Sequence, residues 1–151
     1  MVLYVFVAVL LILGTFDLKR SKLLYRIDMI VLFAFTAFRD ANLGGTDAYY
    51  YQKFYNSVPV ITHLSGFDSP YGFGYTLISS IAKTISDDYI CFQVIYAACT
   101  VVLLHFIIKE LGLKYNERCL FLFSFYCYRF LWSFWVTLRQ NFANLFFWLL
   151  V

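Results

Sequence analysis

A short polar segment that begins at Arg39 carries the side chains best suited to chemistry in an otherwise oily chain. Gly44 and Gly45 allow the backbone to turn tightly, and Thr46 and Asp47 then offer a hydroxyl and a carboxylate. A guanidinium grips a phosphate through two parallel hydrogen bonds, while a carboxylate orients a sugar hydroxyl or accepts its proton. The segment therefore predicts a site for a phosphorylated sugar. The simpler alternatives are that the arginine reaches toward lipid headgroups and that the aspartate caps a helix.

Further aromatic and cationic residues could complete such a site. Tyr51 is the last of three consecutive tyrosines, which stack on sugar rings or line a membrane interface. Arg129 lies near the middle of an apolar run, where a charge normally faces protein or a water-filled cavity. Arg139 and Gln140 form a polar step after that run. We expect Arg39 and Arg139 to converge on one face of the membrane and to hold an anionic ligand there.

The composition is that of a membrane protein. Hydrophobic residues make up 62% of the 151 and charged residues only 14%, whereas soluble domains carry about a quarter charged residues. The net charge of +3 is not gathered on a basic face, which argues against nucleic-acid binding. The two histidines and four cysteines lack metal-binding spacing, so we expect no metal and no cofactor, and the cysteines to be reduced.

The hydropathy pattern predicts an all-α, polytopic membrane protein that forms a single membrane domain over residues 1–151. About 20 residues cross the hydrocarbon core. We expect about 4–5 transmembrane helices and a polar outer loop with two short interfacial helices, at Ala48–Tyr55 and Tyr71–Ser86. The expected spans are Val2–Phe16, Ile27–Phe38, Tyr89–Ile108, Cys119–Leu138 and a further one that starts at Phe142.

Charge predicts the orientation, because cytoplasmic loops are enriched in Lys and Arg. The connections 17–26 and 109–118 carry +3 and +1. They share a side only if the segment 71–86 does not cross. The chain is then a multi-pass protein with its N-terminus outside, and the segment from Arg39 to Tyr51 also lies outside.

The last apolar run, residues 142–151, is too short to cross a membrane. We therefore expect the N-terminal part of a longer polytopic protein. A small, complete membrane protein is the alternative.

The polar motifs resemble those of the EpsG family, Wzy-like proteins of bacterial exopolysaccharide and O-antigen assembly. Phe38-Arg39, Gly45-Thr46-Asp47, Tyr51 and Phe54 are similar to its "R … GTD … Y … F" element. Leu138-Arg139-Gln140 and Ala143 are similar to its "RQ … A" element. Gly72, Gly74 and Tyr75 stand where the family often has a Glu-x-Gly-Tyr sequence, but no glutamate precedes them here. The resemblance covers about residues 27 to 145.

The resemblance implies a polysaccharide polymerase of the bacterial inner membrane. Such a glycosyltransferase-type enzyme joins undecaprenyl-diphosphate-linked oligosaccharide repeats at the outer face, without a metal, and works with a chain-length regulator and a flippase. It implies that Arg39 and Arg139 hold the diphosphate and that Asp47 orients or deprotonates the acceptor. Thr46, Tyr51, Gln140 and Arg129 would contact the substrate. The alternatives are a transporter or flippase of lipid-linked sugars and a non-catalytic membrane subunit, and a fragment of the enzyme alone would be inactive.

Overall fold

A computed structural model describes residues 2–16, 19–38 and 46–127 of the chain. In these ranges every regular element is a helix, and none is a strand, as the composition predicts. A short 3₁₀ turn at Ile61–His63 separates the third helix from the fourth. The α-helices are α1 (Val2–Phe16), α2 (Ser21–Ala37), α3 (Thr46–Ser57), α4 (Phe73–Ile85), α5 (Tyr89–Glu110) and α6 (Tyr115–Phe125).

Local capping interactions define both ends of α5 and the start of α6. The Asp88 carboxylate accepts a hydrogen bond from the Ile90 backbone N–H at 3.0 Å, which satisfies one of the free donors at the start of α5. Gly112, with a φ of 65°, turns the chain after α5. The Glu117 carboxylate then accepts from the Lys114 backbone N–H at 2.7 Å. The charged connection predicted at 109–118 is therefore shorter than expected, because these interactions extend both helices into it.

Helices α1, α2, α5 and α6 pack together around one core. Neighbours in this bundle run antiparallel, except α2 and α6, which run in the same direction. At Gly14 the backbone of α1 comes so close to α6 that an added Cβ would lie 2.6 Å from the Cys119 sulfur. The buried core residues are Val7, Leu11, Tyr25, Leu32, Leu104, Ile108, Cys119, Leu122 and Tyr126.

A second, aromatic core joins α3 and α4 to the first turns of α5. The Tyr55 hydroxyl donates to the Ser86 carbonyl at 2.7 Å, and the Ser80 hydroxyl donates to the Pro59 carbonyl at 2.8 Å. These two bonds hold the connections before and after α4. We call the buried residues of this core the aromatic cluster: Tyr51, Phe54, Tyr55, Val58, Tyr75, Ala82, Tyr89, Phe92 and Tyr96.

Within the described residues, only α5 is both long and apolar enough to cross a membrane by length and composition. The stretch Val5–Phe16 of α1 is apolar but shorter. Helix α2 is interrupted by charged residues, and the described part of α6 has only 11 residues. The all-helical class is thus confirmed, whereas 4–5 spans stay a prediction.

Candidate functional site

The two basic connections meet at one end of the bundle, which we call the basic end: the start of α2, the end of α5 and the start of α6. The Cys119 thiol of α6 donates to the Ser21 carbonyl of α2 at 3.8 Å. Tyr25 of α2 is hydrogen-bonded to His105 of α5, with 2.9 Å between the hydroxyl and Nδ1. The basic segments therefore lie side by side, as the charge pattern predicts.

The opposite end of the bundle is where the polar segment leaves α2. Helix α2 has 17 residues and so is about 25 Å long, which separates its last turn from the basic end. The chain leaves α2 at Phe38, just before Arg39, and returns at Thr46 as α3. Helices α3 and α4 pack against the start of α5, which is also far from the basic end.

Helix α4 lies across the first turns of α5 and does not follow its length. Tyr75, near the start of α4, packs on Phe92 with 5.3 Å between ring centres. Ala82, two turns later, accepts a weak hydrogen bond from the Cys91 thiol at 3.7 Å. Both ends of α4 therefore touch the same short part of α5. This geometry agrees with the prediction that the segment 71–86 does not cross from one side to the other.

Helix α4 buries hydroxyl groups beside Tyr75 and Ala82 and exposes large apolar side chains. Its buried face carries the hydroxyls of Thr76, Ser79 and Ser80, each hydrogen-bonded to a backbone carbonyl. Phe73 and Ile85, by contrast, are 75% and 68% exposed. An apolar outer face suits contact with lipid, which agrees with the expected interfacial position of this helix.

The aromatic cluster holds α3 in place, and Tyr51 lies inside it. The Tyr51 ring centre is 5.4 Å from that of Tyr75 and 5.7 Å from that of Tyr71. Tyr49 and Tyr50 are instead more than half exposed. The three consecutive tyrosines thus differ in burial, because only the third lies on the face of α3 that packs against α4 and α5.

Burial sets the electrostatics of this cluster. The pKa of Tyr55 is raised to about 12, mainly because the phenol is desolvated. Burial also raises the pKa of Tyr75, whose hydroxyl has no hydrogen-bond partner among the described residues. Lys83 lies 5.3 Å from the Tyr55 ring centre and pairs with Asp87 at 3.1 Å. Tyr55 and Tyr75 are thus neutral at physiological pH and act through packing and, for Tyr55, a hydrogen bond.

A family model described as the EpsG family matches residues 22–150 of the chain. The protein belongs to the EpsG family. Comparisons with curated proteins and with solved structures give no significant match. Membership of the EpsG family indicates a role in polysaccharide biosynthesis and a membrane location.

Most predicted site residues of this EpsG protein fall where the structure is not described. Helix α3 begins at Thr46 and not at the predicted Ala48, so Thr46 and Asp47 lie within its first turn; their side chains are outside the described set. Tyr51 is the one predicted residue with a described side chain. The part of the chain with described side chains holds no group of three or more potential metal ligands. Arg39, Arg129, Arg139 and Gln140 lie outside the described residues.

Asp28 is a buried charged residue whose position the sequence interpretation missed. It lies in α2, is completely buried, and neither carboxylate oxygen has a hydrogen-bond partner among the described residues. It faces the Cys119 thiol, whereas Arg26, two residues away, points outward. The signal was its spacing from Tyr25 and Leu32, since i, i+3 and i+7 share one helical face.

Proposed function

We propose that this EpsG-family chain belongs to a polymerase that joins undecaprenyl-diphosphate-linked oligosaccharide repeats at the outer face of the bacterial inner membrane. The single observation that carries the proposal is the separation of the basic end from the end where the chain leaves α2 at Phe38 and returns as α3 at Thr46. Family membership supports the same role.

The orientation follows from the positive-inside rule. The basic end lies in the cytoplasm, so the chain crosses outward along α2 and inward along α5. The N-terminus, α3 and α4 are then outside, and the protein is multi-pass with about 4–5 spans in the residues given. The aromatic cluster and the apolar outer face of α4 support an interfacial position for this region, because tyrosines favour the headgroup level.

The proposed reaction is an inverting glycosyl transfer without a metal. A hydroxyl oxygen of the acceptor repeat attacks the anomeric carbon of the donor glycan, and the bond from that carbon to the lipid diphosphate breaks. Arg39 and Arg139 stabilise the negative charge that develops on the leaving diphosphate. Asp47 orients the acceptor hydroxyl or takes its proton. No cofactor takes part.

The remaining predicted residues have supporting roles in the proposal. Thr46 and Gln140 hydrogen-bond sugar or phosphate oxygens. Tyr51 contributes through the aromatic cluster, which fixes α3 and with it the position of Asp47 about one turn earlier. Arg129 contacts the substrate from within the membrane. A chain-length regulator and a flippase are the proposed protein partners.

The test is to replace Arg39 and Arg139 separately by alanine in the complete protein in its own cells. We expect both variants to lose polymer and to accumulate single repeats on the lipid diphosphate. Removing one charge that stabilises a developing oxyanion typically costs a factor of about 100 to 1,000 in rate. The measurements are polymer length on gels and lipid-linked oligosaccharides by mass spectrometry.

Lys53→Ala is the matched control, since this cation is exposed on α3, near the proposed site. It should leave polymer length unchanged. Normal polymer in both arginine variants would contradict the proposal. Accumulation of the repeats on the inner leaflet would assign the protein to transport, and an unaltered pool of lipid-linked repeats would assign it a non-catalytic role.

A further inference from the structure

Basic side chains from three helices gather at the basic end. The two segments 19–26 and 109–118 together contain seven Lys or Arg residues and only two carboxylates. One of these, Glu117, accepts from the backbone N–H of Lys114. The surface at this end is therefore strongly positive. The seven cations are Lys19, Arg20, Lys22, Arg26, Lys109, Lys114 and Arg118.

Helix stability does not account for the cations at the start of α2. Cations in the first turn of a helix meet the positive end of its dipole and are unfavourable there. Helix α2 begins among three cations, with no acidic residue in its first turn and no side-chain cap. A negatively charged group beside this turn would therefore be favourable.

Two of the cations are held against the same aromatic ring. The guanidinium of Arg118 lies 4.8 Å from the ring centre of Tyr115, and the ammonium of Lys22 lies 5.8 Å from it. Arg118 Nε donates to the Leu113 carbonyl at 2.7 Å, which fixes the plane of the guanidinium. Tyr25, 5.9 Å from the same guanidinium, is fixed by its bond to His105.

Exposed apolar side chains occur at the same level of α2 and α6 as this pair of cations, on other faces of the two helices. Leu23 follows Lys22 and is 56% exposed, and Leu120 follows Arg118 by two residues and is 46% exposed. A phospholipid places a phosphate group next to hydrocarbon and so contacts both cationic and apolar side chains. A free anion or an acidic peptide would contact only the cations. Basic pockets between helices at the cytoplasmic side bind anionic headgroups in this way.

We propose that Lys22 and Arg118, which meet at the Tyr115 ring, bind the phosphate of an anionic phospholipid headgroup, with its acyl chains along the apolar outer surface of the bundle. Tyr25 and Tyr115 place the two cations at headgroup depth. The proposal rests on the membrane orientation given above, but not on polymerase activity. The bound lipid would neutralise the positive end of the bundle and so stabilise the packing of α2 on α6.

The test is a thermal melt of the complete protein in neutral detergent with added phosphatidylglycerol, phosphatidylcholine or inorganic phosphate. We expect phosphatidylglycerol alone to raise the melting temperature. Lys22→Gln and Arg118→Gln should each weaken its apparent affinity about fivefold, and the double variant about 20-fold. Lys53→Gln, which removes an exposed cation from the other end, should leave the affinity unchanged.

Equal stabilisation by phosphatidylcholine, or by inorganic phosphate at the same concentration, would overturn the proposal. So would an unchanged affinity in Lys22→Gln, whose exposed side chain makes this variant the safer one to fold. Because no glycan substrate is present, failure of this measurement leaves the polymerase proposal standing. Loss of the polymerase proposal likewise leaves this measurement interpretable.

Discussion

Gly14→Ala tests the close contact between α1 and α6 on which the four-helix bundle depends. A Cβ at this position would lie 2.6 Å from the sulfur of Cys119, 3.0 Å from its Cβ and 3.3 Å from the Cβ of Leu24. The first distance is shorter than carbon and sulfur tolerate, so α1 must move away from two helices at once. We expect the variant to be less stable than the natural protein.

The magnitude follows from two opposing effects. Overpacking a tight core typically costs about 1–3 kcal/mol. Glycine to alanine inside a helix returns about 0.5–1 kcal/mol, because the unfolded chain loses freedom. The difference between these effects is about 0–2.5 kcal/mol of net loss, and the 2.6 Å contact places Gly14→Ala in the upper half of that range. Adding Cys119→Ala removes the 2.6 Å contact and leaves the 3.0 Å contact between β-carbons, so the double variant should recover part of the loss.

The assay is fluorescence-detected size-exclusion chromatography after heating in detergent. Gly74→Ala is the control, because this glycine is also helical and a Cβ there would meet nothing within 4 Å. It should be as stable as the natural protein or slightly more so. The packing would be refuted by a Gly14→Ala variant that melts at or above the natural temperature, or by strict additivity of the two substitutions.

Substitutions at three further positions test the buried polar and aromatic residues by the same melts. Asp28→Val removes two buried oxygens that lack a hydrogen-bond partner among the described residues, so it should raise stability by about 1–3 kcal/mol. A loss of stability would show that another part of the chain pairs with Asp28. Tyr55→Phe loses the 2.7 Å bond to the Ser86 carbonyl and should cost about 1 kcal/mol at neutral pH. Because the pKa of Tyr55 is raised from 10.0 to about 12, the stability that its hydroxyl contributes is complete below pH 10 and is lost as the pH rises through about 12. The stability difference between the natural protein and Tyr55→Phe should therefore shrink at high pH. A difference that grows with pH would contradict this explanation. Tyr51→Ala should lose both stability and polymer formation, because it removes a buried ring, whereas Tyr51→Phe should keep both. If Tyr51→Phe is stable but forms no polymer, the Tyr51 hydroxyl contacts the substrate directly.

The sequence predicts α3 and α4 within two residues of their observed ends, because hydropathy and turn residues act locally. It places the starts of α2 and α6 too late, at Ile27 and Cys119 instead of Ser21 and Tyr115, because both helices continue into the charged segments. That α4 does not cross stays a prediction. The charge pattern also predicts a shared side for the two basic segments, which agrees with their meeting at one end of the bundle.

The contacts between distant helices could not be predicted in this way. Asp28 looks like an interruption of an apolar run, and only the packing of α2 on α6 shows that it is buried. Tyr51 looks like a ligand contact in a row of tyrosines, and only the approach of α4 turns its ring inward. The contact between Gly14 and Cys119 joins residues far apart in the chain, for which a single sequence contains no local signal.

The most direct test of a catalytic site at the outer face is to determine on which side of the membrane each end of the helix bundle lies. Lys53→Cys and Lys114→Cys, each in a chain whose native cysteines are replaced by alanine, present single thiols at exposed positions of the two ends. The cells are first stripped of the envelope layers outside the inner membrane, so that this membrane stays closed, and are then treated with a membrane-impermeant maleimide. The account predicts labelling at residue 53 while the inner membrane is closed, and at residue 114 only after that membrane is opened. Labelling of both from outside, or of residue 114 alone, would contradict it.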